Sequence, residues 1–357
     1  MAVMTPAIDE ERLHQLINRA IVDFGAVSHA ALVALGDKLG LYKALASSGP
    51  LTAQELADQT STVERYIREW LNAQAAGGYV EYDPHAGRYT LSAEQAMLLA
   101  DEDSPAFIVG AFQTAIAASR IWPRLSQAFR SGEGISYFEH DPELFVGMER
   151  LFRTGYATNL VQAWIPSLGD TEERLRAGAR VADIGAGHGA ATILMAQAYP
   201  QSTFVGFDYH GPSVDEARVR AQSAGVADRV SFQIASATGY QETGFDLICM
   251  FDSLHDLGDP VAAVAHARAA LKPNGVLMIV EPNAGDRVED NLNPIGRAFY
   301  AGSTLICTPC SLSQQAGLAL GAQAGEARIH DVVTQAGFSI FRRASETPFN
   351  LVFEVRP

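Results

Sequence analysis

The sequence predicts an α/β protein: a mostly parallel sheet of seven strands with a terminal antiparallel strand, preceded by a mainly helical N-terminal region. Two observations carry that prediction. Short apolar runs at 181–184, 203–207, 230–234, 245–251 and 276–280 alternate with helical stretches such as 190–198 and 261–271, which is how a parallel sheet covered by helices on both faces reads in sequence. A helix ending at Gly337 then precedes runs at 339–344 and 350–355 joined by a short turn.

The elements follow in order. From residue 16 to 45 apolar residues recur three to four apart, among them Ile17, Ala20, Ile21, Phe24 and Val27, the spacing of amphipathic helices. Thr52 and Glu55 form a capping box, and Gly77-Gly78 close a second helical run that begins near Ser61. The β-prone stretches 79–82 and 88–91 flank Asp83, Pro84, His85, Ala86 and Gly87, a hairpin pattern. Helix, turn, helix and hairpin make a winged helix over 1–100. Residues 101–176 read as connecting helices punctuated by Gly132, Gly134, Pro142 and Pro166, and 177–357 hold the sheet.

Composition narrows the function. The chain has 357 residues, 48% hydrophobic and 19% charged, with a net charge of −15, a balance that disfavours nucleic acid because such binding rests on Lys and Arg neutralising phosphates. The would-be recognition helix, 62–72, sets Glu64 and Glu69 against Arg65 and Arg68, so it has no net positive face. Cys249, Cys307 and Cys310 are too few for a disulfide framework and fit a reducing compartment. Asp9, Glu10 and Glu11 stand where a signal peptide would be basic, so export is not expected. The apolar stretch 106–122 is broken by Gln113, Thr114, Ser119 and Arg120 and is not read as a membrane span. A cytoplasmic protein without a membrane partner is expected.

The most informative segment is Asp183-Ile-Gly-Ala-Gly-His-Gly189, between a strand and a helix. Its glycines allow a tight turn and close approach of a ligand to the backbone. Dinucleotide sites space glycines as G-x-G-x-x-G and seat a pyrophosphate on the helix end. Here the spacing is G-x-G-x-G, and Asp183 precedes the first glycine, Gly185, by two positions. A carboxylate there repels pyrophosphate but suits an ammonium and a sulfonium, which S-adenosyl-L-methionine carries together. Asp208 ends the next strand, where a carboxylate can accept from both ribose hydroxyls. The plainer alternative is that Asp183 caps a helix and Asp208 is a solvated turn.

The fourth sheet strand runs into Phe251-Asp-Ser-Leu-His-Asp-Leu257, placing His255 and Asp256 just past its carboxyl end, where ligands of open α/β sheets sit. A histidine near its ordinary pKa is mostly neutral and can take a proton from an attacking hydroxyl or amine, with Asp256 or Asp252 orienting the ring. An incidental His beside a capping Asp is the alternative. The segment from Glu281 to Gln315 carries Asn291, Asn293, Tyr300, Cys307 and Cys310 and has the length of a lid or acceptor pocket. No metal is expected: a structural zinc site wants four ligands, and nothing supplies a second pair beside Cys307 and Cys310.

On these motifs, with Gly206-Phe-Asp208, Val280-Glu-Pro282, Glu289-Asp-Asn-Leu-Asn-Pro294 and the closing antiparallel hairpin, the chain resembles class I S-adenosylmethionine methyltransferases with an N-terminal winged-helix domain, of the small-molecule O-methyltransferase type. The resemblance implies a Rossmann-like sheet. It implies Asp183, Gly185 and Gly187 at the methionyl group, Asp208 at the ribose, Phe251 and Asp252 at the cofactor's edge, and Tyr209 among the cofactor-binding residues. His255 aligns with the catalytic base, followed by Asp256. The N-terminal domain would make a homodimer. One departure is that the third sheet strand is followed by Ala235-Ser-Ala237 where such enzymes place an acid for the adenine amino group, leaving Ser236 and Ala237 there. Phe138, Asn291 and Tyr300 are candidates for contact with a small apolar or aromatic acceptor. A ligand-sensing transcription factor and a non-methylating enzyme on the same fold are the competing readings.

Overall fold

The computed structural model describes residues 8–357, so the first residues of the 1–100 region lie outside the described part. The chain divides into two compact units, one ending at Ile116 and the other beginning at Ala117.

The first unit holds helices α1 (Glu10–Lys38), α2 (Leu41–Ser48), α3 (Ala53–Gln59), α4 (Glu64–Ala76) and α5 (Ala93–Leu99), with strands β1 (Glu81–Asp83) and β2 (Arg88–Thr90) paired antiparallel. The capping box is formed: the Thr52 hydroxyl accepts from the Glu55 N–H and the Glu55 side chain from the Thr52 N–H. The second helix starts three residues later than its polar lead-in predicts, because Ser61 takes a left-handed φ of 53° and the Thr62 N–H turns back to the Ala57 carbonyl. At Gly36 α1 meets α4 so closely that a Cβ would lie 2.4 Å from the Trp70 ring, and the Trp70 indole N–H donates to the Leu32 carbonyl. The N-terminal part of α1 is different. Leu16, Ile21, Val22, Phe24 and Val27 are all exposed, and among the described residues α1 is the one helix long and apolar enough to cross a membrane. The stretch 106–122 becomes instead the end of a loop and α6 (Val109–Ser119).

The second unit opens with α7 (Trp122–Ser131), α8 (Glu143–Asn159) and α9 (Thr171–Ala177). Strands β3 (Arg180–Ile184), β4 (Thr203–Asp208), β5 (Val230–Ile234), β6 (Phe245–Phe251) and β7 (Leu271–Pro282) are parallel to one another. Helices α10 (Ala190–Ala198), α11 (Gly211–Ser223) and α12 (Pro260–Ala270) connect them; α13 (Pro294–Gly302), α14 (Thr308–Leu312) and α15 (Gly325–Gln335) follow β7. Strands β8 (Ile340–Glu346) and β9 (Asn350–Arg356) close the sheet in the order β5-β4-β3-β6-β7-β9-β8. The last strand therefore inserts between β7 and β8, antiparallel to both, since a three-residue turn can only reverse direction. The middle strands are buried on both faces, with Leu247, Ile248, Cys249 and Met250 fully covered, which is why they read as continuous apolar runs.

Chain direction reverses in this order between β3 and β6: from β3 the sheet grows toward β5, and from β6 toward β8. A crevice opens at the carboxyl ends of the strands there. Behind the turn after β3 the Phe232 ring of β5 packs directly on glycine backbone, because a Cβ at Gly189 or Gly206 would come within 2.5 or 2.4 Å of it. Gly206→Ala is expected to lower stability by about 1–3 kcal/mol through overpacking, read as a shift of the urea midpoint; an unchanged midpoint would mean that Phe232 yields without cost.

Candidate active site

The turn after β3 puts three glycines in left-handed geometry, with φ of 79° at Gly185, 52° at Gly187 and 80° at Gly189, where a side chain is strained. At Gly185 space is also lacking, since a Cβ would meet Ser253 at 2.8 Å. The N–H groups of Gly185 and Ala186 donate to the Phe207 carbonyl, and that of Gly187 to Asp208 Oδ2 at 2.9 Å. Beside this turn lies a cavity with about 1090 Å³ of atom-free space, partly open to solvent, whose wall includes Asp183, Gly185, Gly187, Asp208, Tyr209, Ala237, Phe251 and Asp252.

Five carboxylates, Glu149, Asp183, Asp208, Asp252 and Asp256, reach its largely apolar wall. Asp183 is 2% exposed; its Oδ2 accepts from the Thr192 hydroxyl at 2.6 Å, while Oδ1 is buried with no hydrogen-bond partner among the described residues. Burial pushes this carboxyl up to about 7, as expected where the charged form loses water. Asp208 is also raised by burial, against the lowering effect of its hydrogen bonds from His210 and Gly187. Asp252 sits at a left-handed φ of 48°, tied by the Tyr156 hydroxyl at 3.2 Å and the Asn350 amide at 3.1 Å. Burial, helped by the Glu281 charge, pushes it up to about 7 as well.

His255 is buried in a single 3-10 turn, Leu254–Asp256. Its Nδ1 is 2.5 Å from Glu281 Oε2 and its Nε2 is 3.2 Å from Asp256 Oδ1. Burial alone would lower this histidine, but the Glu281 and Asp256 carboxylates outweigh it and hold the ring well above its ordinary range. His255 itself lies one layer back from the cavity, and Asp256 is the member of the pair that lines it. Asp256 Oδ2 accepts in turn from the Tyr137 hydroxyl.

Several sequence candidates fall elsewhere. Ser236 is exposed and caught in a tight turn through its carbonyl and the Gly239 N–H, so Ala235 and Ala237 line the cavity in its place. Phe138 is 57% exposed and packs on the rings of Tyr209 and His210 from outside. Asn291 is a loop staple: its amide bonds Gly285 at both N and O and the Arg287 carbonyl. Tyr300 is half-buried on α13, off the wall. Sequence reasoning missed Glu281, although it lies one residue past the Phe251–Val280 pair on the strand beside Asp252. It also missed the α8 face of Phe145, Met148, Phe152 and Tyr156, whose three-to-four spacing was legible.

Residues 175–336 match a methyltransferase-domain family, and residues 27–101 match the Rv2258c-like winged helix-turn-helix domain. The chain thus carries a methyltransferase domain over 175–336 behind an N-terminal winged helix-turn-helix domain over 27–101. The chain is similar in fold to human N-acetylserotonin methyltransferase, solved with S-adenosylmethionine (TM-score 0.71, 18% identity, 99% of each chain). It is likewise similar to an O-methyltransferase family protein from Burkholderia thailandensis (TM-score 0.69, 20% identity, 98% of this chain and 99% of that one). In sequence it is 36% identical over 135 residues to the 27-O-demethylrifamycin SV methyltransferase of Amycolatopsis mediterranei, covering 36% of this chain and 49% of that protein. The matched segment thus spans about half the length of that curated relative.

The raised Asp183 carboxyl has a stability consequence of definite sign. Its pKa goes from 3.8 to about 7 on folding, so the folded state binds the extra proton and stability from this group falls as pH rises between those values, by up to about 1.4 kcal/mol per pH unit. Asp183→Asn should remove that slope in urea unfolding followed across the window; an identical slope in the variant would show that the group ionises without cost.

Proposed function

We propose that this methyltransferase moves the methyl group of S-adenosyl-L-methionine to an oxygen of a small apolar or aromatic molecule. The observation that carries the proposal is the buried, unpartnered Asp183 Oδ1 on a cavity wall that also holds Asp208, Asp252 and Asp256. Such a wall favours a cationic ligand. S-adenosylmethionine, when bound, supplies an electrophilic methyl on a positive sulfur. In this reading Asp183 faces the ammonium group, Asp208 accepts from the ribose hydroxyls, and Ala235, Ala237 and Tyr209 line the base. The acceptor lies against Tyr137, Phe145, Met148 and Phe152, a wall suited to an aromatic ring. Among fold relatives, NcsB1 was solved with S-adenosylhomocysteine and 1,4-dihydroxy-2-naphthoic acid, and another is a mitomycin 7-O-methyltransferase.

Rate comes mainly from holding acceptor oxygen and methyl in line. The acceptor proton passes to the Asp256 carboxylate on the wall, which the His255 ring, held from behind by Glu281, orients. His255→Ala is expected to cut kcat by about 10²–10⁴ while calorimetric affinity for S-adenosylhomocysteine stays within about twofold, and Asp208→Ala should weaken that affinity instead. Methylated product is recognised by a mass gain of one CH₂. Unchanged turnover in the His255 variant would remove the pair from the mechanism, and no cofactor binding by the native protein would sink the enzymatic reading.

The N-terminal unit we read as a dimerisation module in a cytoplasmic enzyme. On α4 Arg65 pairs with Glu69 and Arg68 with Glu64, each at 2.6 Å, which supports a solvated face rather than a phosphate-binding one. The exposed stripe Leu16, Phe24 and Val27 on α1 fits a second copy of the same helix. Phe24→Glu with Val27→Glu is expected to halve the mass seen by light scattering; a native protein already monomeric at assay concentration would overturn this.

A further inference from the structure

The layer behind Asp256 holds a second cluster of ligand-type side chains. His255 and Asp256 come from the turn after β6, and Cys307 ends a π-helical turn, Ser303–Cys307, between α13 and α14. One ligand atom from each, a ring nitrogen, a carboxylate oxygen and the thiol sulfur, lies within 4.8 Å of the other two. All three residues are buried. Asp256 is 8% exposed, and its Oδ1 has no hydrogen-bond partner among the described residues, with His255 Nε2 3.2 Å away. The other oxygen is occupied by Tyr137, so the free oxygen is the one aimed into the cluster.

The partner on the far side of the ring matters as much. Glu281 takes His255 Nδ1 at 2.5 Å, leaving Nε2 as the nitrogen directed at Asp256. A carboxylate on one ring nitrogen, with the other left for the ion, is how metal-binding histidines are oriented. Glu281 is itself fixed by the Leu254 N–H at 3.0 Å. The donor set of imidazole, carboxylate and thiolate suits Zn²⁺, whereas Ca²⁺ and Mg²⁺ require oxygen-rich shells. Three protein ligands leave the fourth tetrahedral position open, as in zinc sites that bind water or a small molecule.

We propose that His255, Asp256 and Cys307 form a zinc site, and that zinc there switches off methyl transfer by occupying the carboxylate that receives the acceptor proton and the ring that orients it. The inhibitory half rests on the role given to His255 and Asp256 above; the binding half does not. On binding, the thiol proton and the Nε2 proton leave to solvent and the ion takes their places. Cys310, one helical turn on, stands apart from the cluster with its sulfur 3.7 Å from His140 Nε2.

The test titrates the metal-free, full-length protein with Co²⁺ alone, then displaces it with Zn²⁺. Binding should produce a thiolate-to-cobalt charge-transfer band and the visible bands of tetrahedral cobalt, both lost on adding zinc. Cys307→Ser should abolish the charge-transfer band, and Asp256→Asn should weaken zinc binding by about tenfold or more. Cys310→Ser should keep the band, and circular dichroism checks that each variant is folded. No band in the native protein, or a band that survives Cys307→Ser and disappears in Cys310→Ser, overturns the site. One equivalent of zinc should stop turnover reversibly toward a chelator without displacing S-adenosylhomocysteine; full turnover with zinc bound overturns the inhibitory role. The cobalt spectrum needs no methyl transfer, so a failure of the enzymatic reading and a failure of the metal site give different results.

Discussion

Negative charge held out of water is the constraint on which this molecule turns. Asp183, Asp252, Asp256 and Glu281 are all buried at the carboxyl ends of neighbouring strands or just beyond them, and Asp208 joins them from β4. Ionising several carboxylates in one dry region is costly, and the chain answers in two ways. Asp183 and Asp252 keep protons up to about 7, and Asp256 and Glu281 hold a histidine in its charged form between them. A cation entering the cavity relieves the first pair, and a metal ion in place of the ring proton would serve the second. Both readings of the site are answers to the same electrostatic deficit.

Strand order brings the deficit into being. Because β3 and β6 are adjacent and their connections leave in opposite directions, the turns that follow them face one another across a gap. Gly185 and Ser253 approach to a distance that excludes even a Cβ. Asp252 is held in left-handed geometry, at a cost on the order of 1 kcal/mol, with Tyr156 and Asn350 holding it there. Asn350 belongs to β9, so the strand that inserts antiparallel beside β7 also supports the site.

The N-terminal unit follows a different logic. Its helices close a small core around Trp70, Leu71 and Tyr42, and its charges are spent on one another: Arg88 on Glu55, Arg68 on Glu64, Arg65 on Glu69. Exposed pairs of this kind add little stability and leave no basic footprint. What the unit leaves uncovered along α1 is apolar, and the proposed dimer rests on that stripe.

Local pattern in the sequence determined a good deal. The parallel strands, the Thr52 capping box, the helix from Ala190, the glycine turn and Asp183 and Asp208 beside it were all readable, because each depends on residues within a few positions of one another. Tertiary structure alone decided the rest. Glu281 and His255 are partners across 26 residues, and Tyr137 and Asp256 across 119, distances at which no periodicity connects them. Ser236 pointed outward and Asn291 turned into a staple because backbone turns, not residue type, set where a polar side chain goes. Above all, the charge state of His255 and the proton affinity of Asp183 come from burial and from neighbours, and a sequence names ionisable groups without stating how much water surrounds them.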